Sequence, residues 1–319
     1  MQGIIITGSN NVFEVDCDDR ILRRCSLKGK KLKGSEEFYN PLCPGDCVQI
    51  EKDSHTQSEG QILSLIPRKN SFMRHNIKGR APQLLAANVD LLLCVTTPHD
   101  PPFRPRFIDR MLIQAEKADI KPVIVCNKCD LNEIQKENVQ NRLADWQRLG
   151  YTVLNISAKT GQGLTEFANT VQGKLCVLAG QSGVGKSSII NALDSSFALR
   201  VAALSEKYNR GTHTTTKGIL LRVQLTDFAS DNKDLYTSII DTPGVRRFVL
   251  CDIDERELPL FFPEMKNLVG QCTFGMSCSH THEPGCKILE GVQKQEITAE
   301  RYESWMRICD EIKNGIPID

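Results

Sequence analysis

Two short stretches carry residue types that could handle a nucleotide. The first, "GQSGVGKSS" at residues 180–188, follows the apolar run "KLCVLA" and opens the helix-like "KSSIINAL". Gly180 and Gly185 permit backbone angles that a side chain would block. The N–H groups of Gly183, Val184, Gly185, Lys186, Ser187 and Ser188 can then turn toward phosphate oxygens, with Gln181 and Ser182 completing the loop. Lys186 is spaced to reach the β- and γ-phosphates, and Ser187 to ligate Mg²⁺. The second stretch, "NKCD" at 127–130, ends the apolar run "PVIVC". Asp130 can accept two hydrogen bonds from guanine N1–H and the exocyclic amine, a donor pair that adenine lacks. Asn127 can tie this loop to the phosphate loop, the stem of Lys128 can cover the base, and Cys129 lies between Lys128 and Asp130.

Further elements follow the same logic. "SAK" contributes Ser157, Ala158 and Lys159, and the Ala158 N–H is expected to donate to guanine O6. "DTPG", after the strand-like "LYTSII", offers Asp241 to hold Mg²⁺ through water and the Gly244 N–H to sense the γ-phosphate. Between them, "YNRGTHTTTK" (208–217) supplies a threonine for the Mg²⁺ shell, with Thr215 chosen over Thr214 and Thr216. Val245 stands where many GTPases carry a water-orienting glutamine. His213 is the nearest substitute, its other reading being a loop histidine that contacts RNA or backbone.

The elements that must position these residues alternate in type. From about residue 84, apolar strands ("DLLLCVTT", "PVIVC", "TVLNIS", "KLCVLAG") alternate with helical spacing near 105–120, 132–149 and 163–172. That pattern implies a parallel sheet covered on both faces. The motifs read base, base, phosphate, switch, switch, a circular permutation of the usual order, which a fold tolerates when its old termini lie close together at the surface. Residues 1–67 show short strands between polar turns, the signature of a small β-barrel. The expected division is 1–67 barrel, 68–84 basic linker, 85–250 permuted nucleotide domain and 251–319 a helical, cysteine-rich domain. In that order the second switch feeds straight into the cysteine-rich segment, so residues 241–251 are expected to carry the γ-phosphate signal there.

The cysteine-rich segment, "CTFGMSCSHTHEPGC", presents Cys272, Cys278, His280 and Cys286, with His282 competing for the fourth place. Three thiolates and an imidazole suit a closed tetrahedral zinc site of structural type. The thirteen cysteines are otherwise scattered through strand- and helix-like runs, as reduced thiols of a cytoplasmic protein would be. No apolar run reaches the eighteen or so residues needed to cross a bilayer, and no signal peptide is visible. Net charge is +1, which excludes a protein basic all over. Yet residues 20–34 hold seven Arg or Lys and residues 67–80 five more, with no acid in either run. Both flank the barrel and suit RNA phosphates.

Across nearly the whole chain the sequence resembles the circularly permuted, ribosome small-subunit-dependent GTPases, the RsgA or YjeQ family. The resemblance rests on "PRKNSFMR", "ANVDLLLCVTT", "SAKTGQGL", "GQSGVGKSSIINAL", "GTHTTTK", "DTPGVRRF", "FPEM" and "CSHTHEPGC". It implies an N-terminal OB-fold, a permuted GTPase domain and a C-terminal zinc domain. It also implies GTP hydrolysis stimulated by the 30S subunit, late in small-subunit maturation, with 16S rRNA as a partner. Its Cys-x-His pattern favours His280 over His282, although five residues separate Cys272 from Cys278 where the family has four. We expect a cytoplasmic monomer. A GTP-gated RNA-binding switch with negligible hydrolysis is the alternative, and a metal-delivery GTPase a further one.

Overall fold

In the computed structural model, five strands close on themselves as β1 (Gln2–Ser9), β2 (Val12–Cys17), β3 (Leu22–Leu27), β4 (Cys47–Lys52) and β5 (Glu59–Leu65), in the order β1-β2-β3-β5-β4. The described residues are 1–29, 32, 38–76, 81–130, 137–196, 218–228, 235–242 and 248–314. Alternation sets the barrel's inside: Ile5, Phe13, Val15, Cys25, Val48, Ile50 and Ile62 fill its core. Asn10 and Asn11 both have positive φ, as a two-residue hairpin of primed type requires.

Residues 68–84, read above as a linker, contain a hairpin of β6 (Ser71–Asn76) and β7 (Ala81–Ala87). Basic residues interrupt the strand pattern there, yet Phe72 is fully buried and stacks on Phe248 at 5.4 Å. The hairpin joins the barrel to the sheet. Arg68 grips Asp46 through two nitrogens (2.6 and 2.9 Å), and Asn88 Nδ2 donates to the Gly45 carbonyl (2.9 Å). Gly45 has φ +89°, and a Cβ there would lie 2.3 Å from the Ala87 oxygen, so no other residue fits.

The central sheet contains β8 (Leu91–Thr96), β9 (Lys121–Cys126), β10 (Thr152–Asn155), β11 (Leu175–Gly180), β12 (Ile219–Gln224) and β13 (Tyr236–Asp241). Its order is β10-β9-β8-β11-β13-β12, parallel except for β12, which pairs antiparallel with β13. Residues alternate between two cores. Leu92, Cys94 and Ile124 face α1 (Pro105–Lys117) and α2 (Glu137–Arg148). Leu91, Leu93 and Val125 face α3 (Leu164–Val171) and α4 (Lys186–Leu193). Both sheet faces are therefore covered, which accounts for the unbroken apolar strands.

The C-terminal part is helical: α5 (Pro263–Lys266), α6 (Lys287–Gln293) and α7 (Ala299–Asn314). It is fastened to α1 by buried charges. Asp109, with no exposed surface, accepts from Arg142, from Arg301 Nη1 (2.6 Å), from Trp146 Nε1 (3.0 Å) and from Ser304 Oγ (2.6 Å). Arg301 also pairs with Glu264 (2.6 Å), and Arg110 with Glu311. Burial raises the Asp109 carboxyl's pKa, but the two guanidinium groups outweigh it and hold it below the usual range. No helix among the described residues is long and apolar enough to cross a membrane.

The basic runs are less free than the sequence suggests. Arg23 is 1 % exposed and pairs with Asp19 at 2.6 Å; Arg68 is taken by Asp46, Lys69 by Asp90 and Lys28 by Glu51. Neither run contains an acid, but the fold brings acids to both from outside them. Lys30, Lys31, Lys33, Lys78 and Arg80 lie outside the described residues.

Candidate nucleotide and metal sites

Every parallel strand delivers its motif to one edge of the sheet. Cys126 pairs with Thr96 and Asn155, Gly180 with Val95, and Asp241 with Leu178. The loops that follow therefore converge where open α/β sheets bind ligands, at the reversal of strand order between β8 and β11.

Asn127, 2 % exposed, is the node of this convergence. Its Nδ2 donates to the Val184 carbonyl of the phosphate loop (2.9 Å), and its Oδ1 accepts from the Ala158 N–H (3.0 Å). The first bond is the tie expected from sequence. The second occupies the N–H assigned above to guanine O6, so Ala158 points at Asn127 in this structure. Asp130 Oδ1 accepts from Ser157 Oγ (2.7 Å), which leaves Oδ2 for a ligand. Lys128 reaches across to the Asp100 carbonyl (2.5 Å). Asn127, Lys128, Asp130, Ser157, Ala158, Lys159, Gly185 and Ser188 together line a cleft of about 190 Å³.

The phosphate loop abuts this cleft. Gly183 and Gly185 have φ of +87° and +91°, and a Cβ on Gly185 would lie 2.4 Å from Asn127 Nδ2. Close approach of the two loops thus requires glycine there. Lys186 curls back, donating to the carbonyls of Gly180 and Gln181 (3.1 Å each). Burial lowers its pKa, and nearby Asp241 opposes that shift. Asp241 is itself pushed up to about 6 by burial, against the pull of Lys186. Its Oδ1 is buried with no hydrogen-bond partner among the described residues. An orphaned carboxylate oxygen beside the phosphate loop fits a water-bridged Mg²⁺. Ser182 and Ser187 are exposed on this loop. His213, Thr215 and Gly244 lie outside the described residues.

In the C-terminal part, Cys272, Cys278, His280 and Cys286 are all buried, with ligand atoms within 4.8 Å of one another. His280 Nδ1 is 3.5 Å from the sulfurs of Cys272 and Cys286, which are 3.9 Å apart. Zn–S bonds of about 2.3 Å and a Zn–N bond of about 2.0 Å at tetrahedral angles give separations of roughly 3.5 and 3.8 Å, so the group could hold a zinc ion. His282 is exposed, its Nδ1 2.8 Å from Thr281 Oγ1, and takes no part. A 3-10 turn, Gly275–Ser277, leads into Cys278. Further support comes from the Lys287 N–H on Cys272 Sγ (3.3 Å), the Tyr302 hydroxyl on the His280 carbonyl (2.8 Å) and the Trp305 ring, edge-on to His280.

Residues 65–251 match the family model described as RsgA GTPase. The chain belongs to that family. This GTPase, a GTP-hydrolysing enzyme, is 36% identical over 314 residues to a Porphyromonas gingivalis protein named "Small ribosomal subunit biogenesis GTPase RsgA", covering 98% of this chain and 97% of the relative. A Borreliella burgdorferi protein of the same name is 34% identical over 311 residues, covering 97% and 96%. Among solved structures, YjeQ from Thermotoga maritima superposes with a TM-score of 0.70 at 29% identity, covering 98% of each chain. YloQ, described as a circularly permuted GTPase, gives 0.68 at 25% identity, covering 100% of this chain and 96% of its own. The permuted order read from the motifs is thus the family's own.

Two supports of this GTPase site were not evident in the sequence. Thr242 Oγ1 donates to the Leu178 carbonyl (2.8 Å), fixing the start of the loop after Asp241. Thr7 Oγ1, in the barrel, donates to the Gly218 carbonyl (3.0 Å) at the end of the 208–217 stretch. Hydrogen bonds to carbonyls leave no mark in a motif.

Asp241 also gives a pH expectation. Mg²⁺ needs the carboxylate, and with the carboxyl's pKa at about 6 protonation competes as pH falls through that value. Mg²⁺-dependent tightening of GTP should therefore weaken below pH 6, and Asp241→Asn should lose both the Mg²⁺ and the pH dependence. Titrations of a fluorescent GTP analogue with and without Mg²⁺, on both sides of that pH, would decide. A Mg²⁺ effect flat across it removes Asp241 from the metal shell.

Proposed function

We propose that this GTPase acts in biogenesis of the small ribosomal subunit, hydrolysing GTP to GDP and phosphate at a rate raised by the 30S particle. The observation that carries the nucleotide reading is Asn127 bonding both the phosphate loop and the Ala158 loop around the cleft that Asp130 lines. The names of the full-length relatives support the subunit reading.

In this reading Asp130 Oδ2 and the Ala158 N–H read guanine, the latter released from Asn127 when the base enters. Lys128 covers the ring. Lys186 swings from its two carbonyls to the β- and γ-phosphates, while the N–H groups of 183–188 cradle the remaining oxygens. Bound Mg²⁺ would neutralise the developing phosphate charge, held by Ser187, Thr215 and Asp241. Gly244 senses the γ-phosphate. His213 positions the attacking water in place of the glutamine absent at Val245. Zinc at Cys272, Cys278, His280 and Cys286 would staple the C-terminal fold. Exposed Arg20 and Arg24 supply phosphate-contacting surface toward 16S rRNA. We read the protein as a cytoplasmic monomer.

GTP turnover measured with 30S subunits, 50S subunits and neither tests this. Stimulation by 30S alone is expected, and equal rates in all three would remove the subunit reading. The family's identity as a GTPase weighs against a switch with negligible hydrolysis. His213→Ala should leave GTP affinity nearly intact while removing most of the stimulated turnover. Full retention of turnover would move the water-positioning role to another residue or to RNA.

A further inference from the structure

Among the thirteen cysteines only Cys126 and Cys129 are three apart, and they bracket Asn127 and Lys128. Cys126 is the last residue of β9 and has no exposed surface; Cys129 is 9 % exposed at the turn that follows. The Cys129 thiol donates to the Cys126 carbonyl (3.0 Å), and both side chains lie in the same buried core. We propose that Cys126 and Cys129 are a reversible disulfide site, oxidised by peroxide, whose closure disables the guanine cleft. This rests on the reading of that cleft as the base site.

The chemistry balances in two steps. Cys129, the less deeply buried of the two at 9 % exposed, attacks hydrogen peroxide as the thiolate, breaking the O–O bond to give a sulfenic acid and hydroxide. Cys126 then attacks that sulfur, forming the S–S bond and expelling the sulfenic oxygen as water. Two thiols lose two electrons and two protons, and the peroxide becomes two waters. Of the pair, Cys129 is the more readily ionised: its interaction with Cys126 draws its pKa down, while Cys126 is held as the thiol.

Closure changes the loop that reads the base. A disulfide needs its sulfurs about 2.05 Å apart, so Cys129 Sγ must leave the Cys126 carbonyl. The new ring encloses Asn127, whose side chain joins the phosphate and Ala158 loops, and Lys128, which already sits at φ +65°. It also adjoins Asp130. A loop whose two ends are drawn together cannot keep all three contacts in register. In Cys-x-x-Cys pairs generally, thiolate character and spacing favour such exchange.

The test uses the full-length, metal-loaded protein, with hydrogen peroxide as oxidant. Three quantities are read: affinity for a fluorescent GTP analogue, peptide mass mapping of disulfides, and zinc release to a chromogenic chelator. The expected result is a roughly tenfold or greater loss of GTP affinity, a Cys126–Cys129 bond in the map, no zinc release, and recovery with dithiothreitol. Cys126→Ala, or Cys126→Val if the first folds poorly, should bind GTP when reduced and keep that affinity under peroxide. Equal peroxide sensitivity in these variants overturns the proposal. So does a disulfide at 126–129 that leaves affinity unchanged, or an affinity loss that tracks zinc release. A reduced wild-type protein that does not bind GTP overturns the cleft reading itself, which separates that failure from failure of the switch.

Discussion

Asp130→Asn is expected to turn the cleft from GTP toward XTP. In the wild type one carboxylate oxygen is held by Ser157 Oγ at 2.7 Å, which fixes the other toward the base. Guanine presents two donors there, and an amide opposes one of them with a donor of its own. Xanthine carries a carbonyl at the same place and accepts from that amide. A site built around a specific hydrogen-bond pattern rejects the mismatched partner by large factors, so the GTP/XTP preference should swing on the order of a thousandfold or more. Competition binding with GTP and XTP on a folded variant measures it. Unchanged selectivity would take Asp130 out of base recognition, whatever happened to total affinity.

Asp109→Ala should cost more stability than any exposed charge change. It leaves Arg142 and Arg301, both nearly or fully buried, without their shared carboxylate. Breaking a buried ion pair from one side costs roughly 3–5 kcal/mol. The exposed pair Lys69–Asp90 provides the control, since Lys69→Ala should cost about 1 kcal/mol at most. Urea unfolding curves of both variants give the comparison, and hydrogen exchange over α7 should rise in the first variant only. Similar small shifts in both would mean that the network is dispensable.

That network changes the picture of how the zinc-site domain is held. The expectation from sequence was that residues 241–251 carry the γ-phosphate signal to that domain along a short covalent path. In the structure the exit from this stretch is pinned three times before it arrives. Phe248 stacks on Phe72, the Val249 carbonyl accepts from the His75 N–H (3.0 Å), and the Cys251 N–H donates to Gln114 Oε1 (3.0 Å). The domain beyond is fixed to α1 through Asp109, Arg110 and Ile113. Its orientation thus follows α1, the helix that leads into β9 and the loop of Asn127 and Asp130.

The nucleotide cleft was legible in the sequence because its residues sit at strand ends in short motifs, where backbone geometry dictates residue type. Gly185 and Asn127 are examples: one needs positive φ, the other needs two partners within reach. The cluster of Cys272, Cys278, His280 and Cys286 was legible for a similar reason, being close in sequence and chemically unusual. The domain lock was not, because Asp109 and Arg301 are 192 positions apart and each looks like an ordinary surface charge on an amphipathic helix. Arg23 and Arg68 misled for the same reason, since their acids come from outside the basic runs. The β6–β7 hairpin was hidden by Arg74 and His75 in β6 and by Pro82 in β7, which break the alternation a strand usually shows.

The strand order has a consequence for how the chain is made. The sheet divides into two contiguous halves, β10-β9-β8 and β11-β13-β12, which meet along the β8–β11 seam. Synthesis runs from the N-terminus, so the first half is complete before β11 exists. All six residues of β8 are buried in the finished protein, and until β11 arrives one edge of that strand offers unpaired N–H and C=O groups beside apolar side chains. The nascent chain therefore passes through an aggregation-prone stage that a GTPase of the usual motif order, beginning with its phosphate loop, meets at a different strand. The interval is short in chain length: α3 ends at Val171 and β11 begins at Leu175, so the protecting strand is among the next residues made.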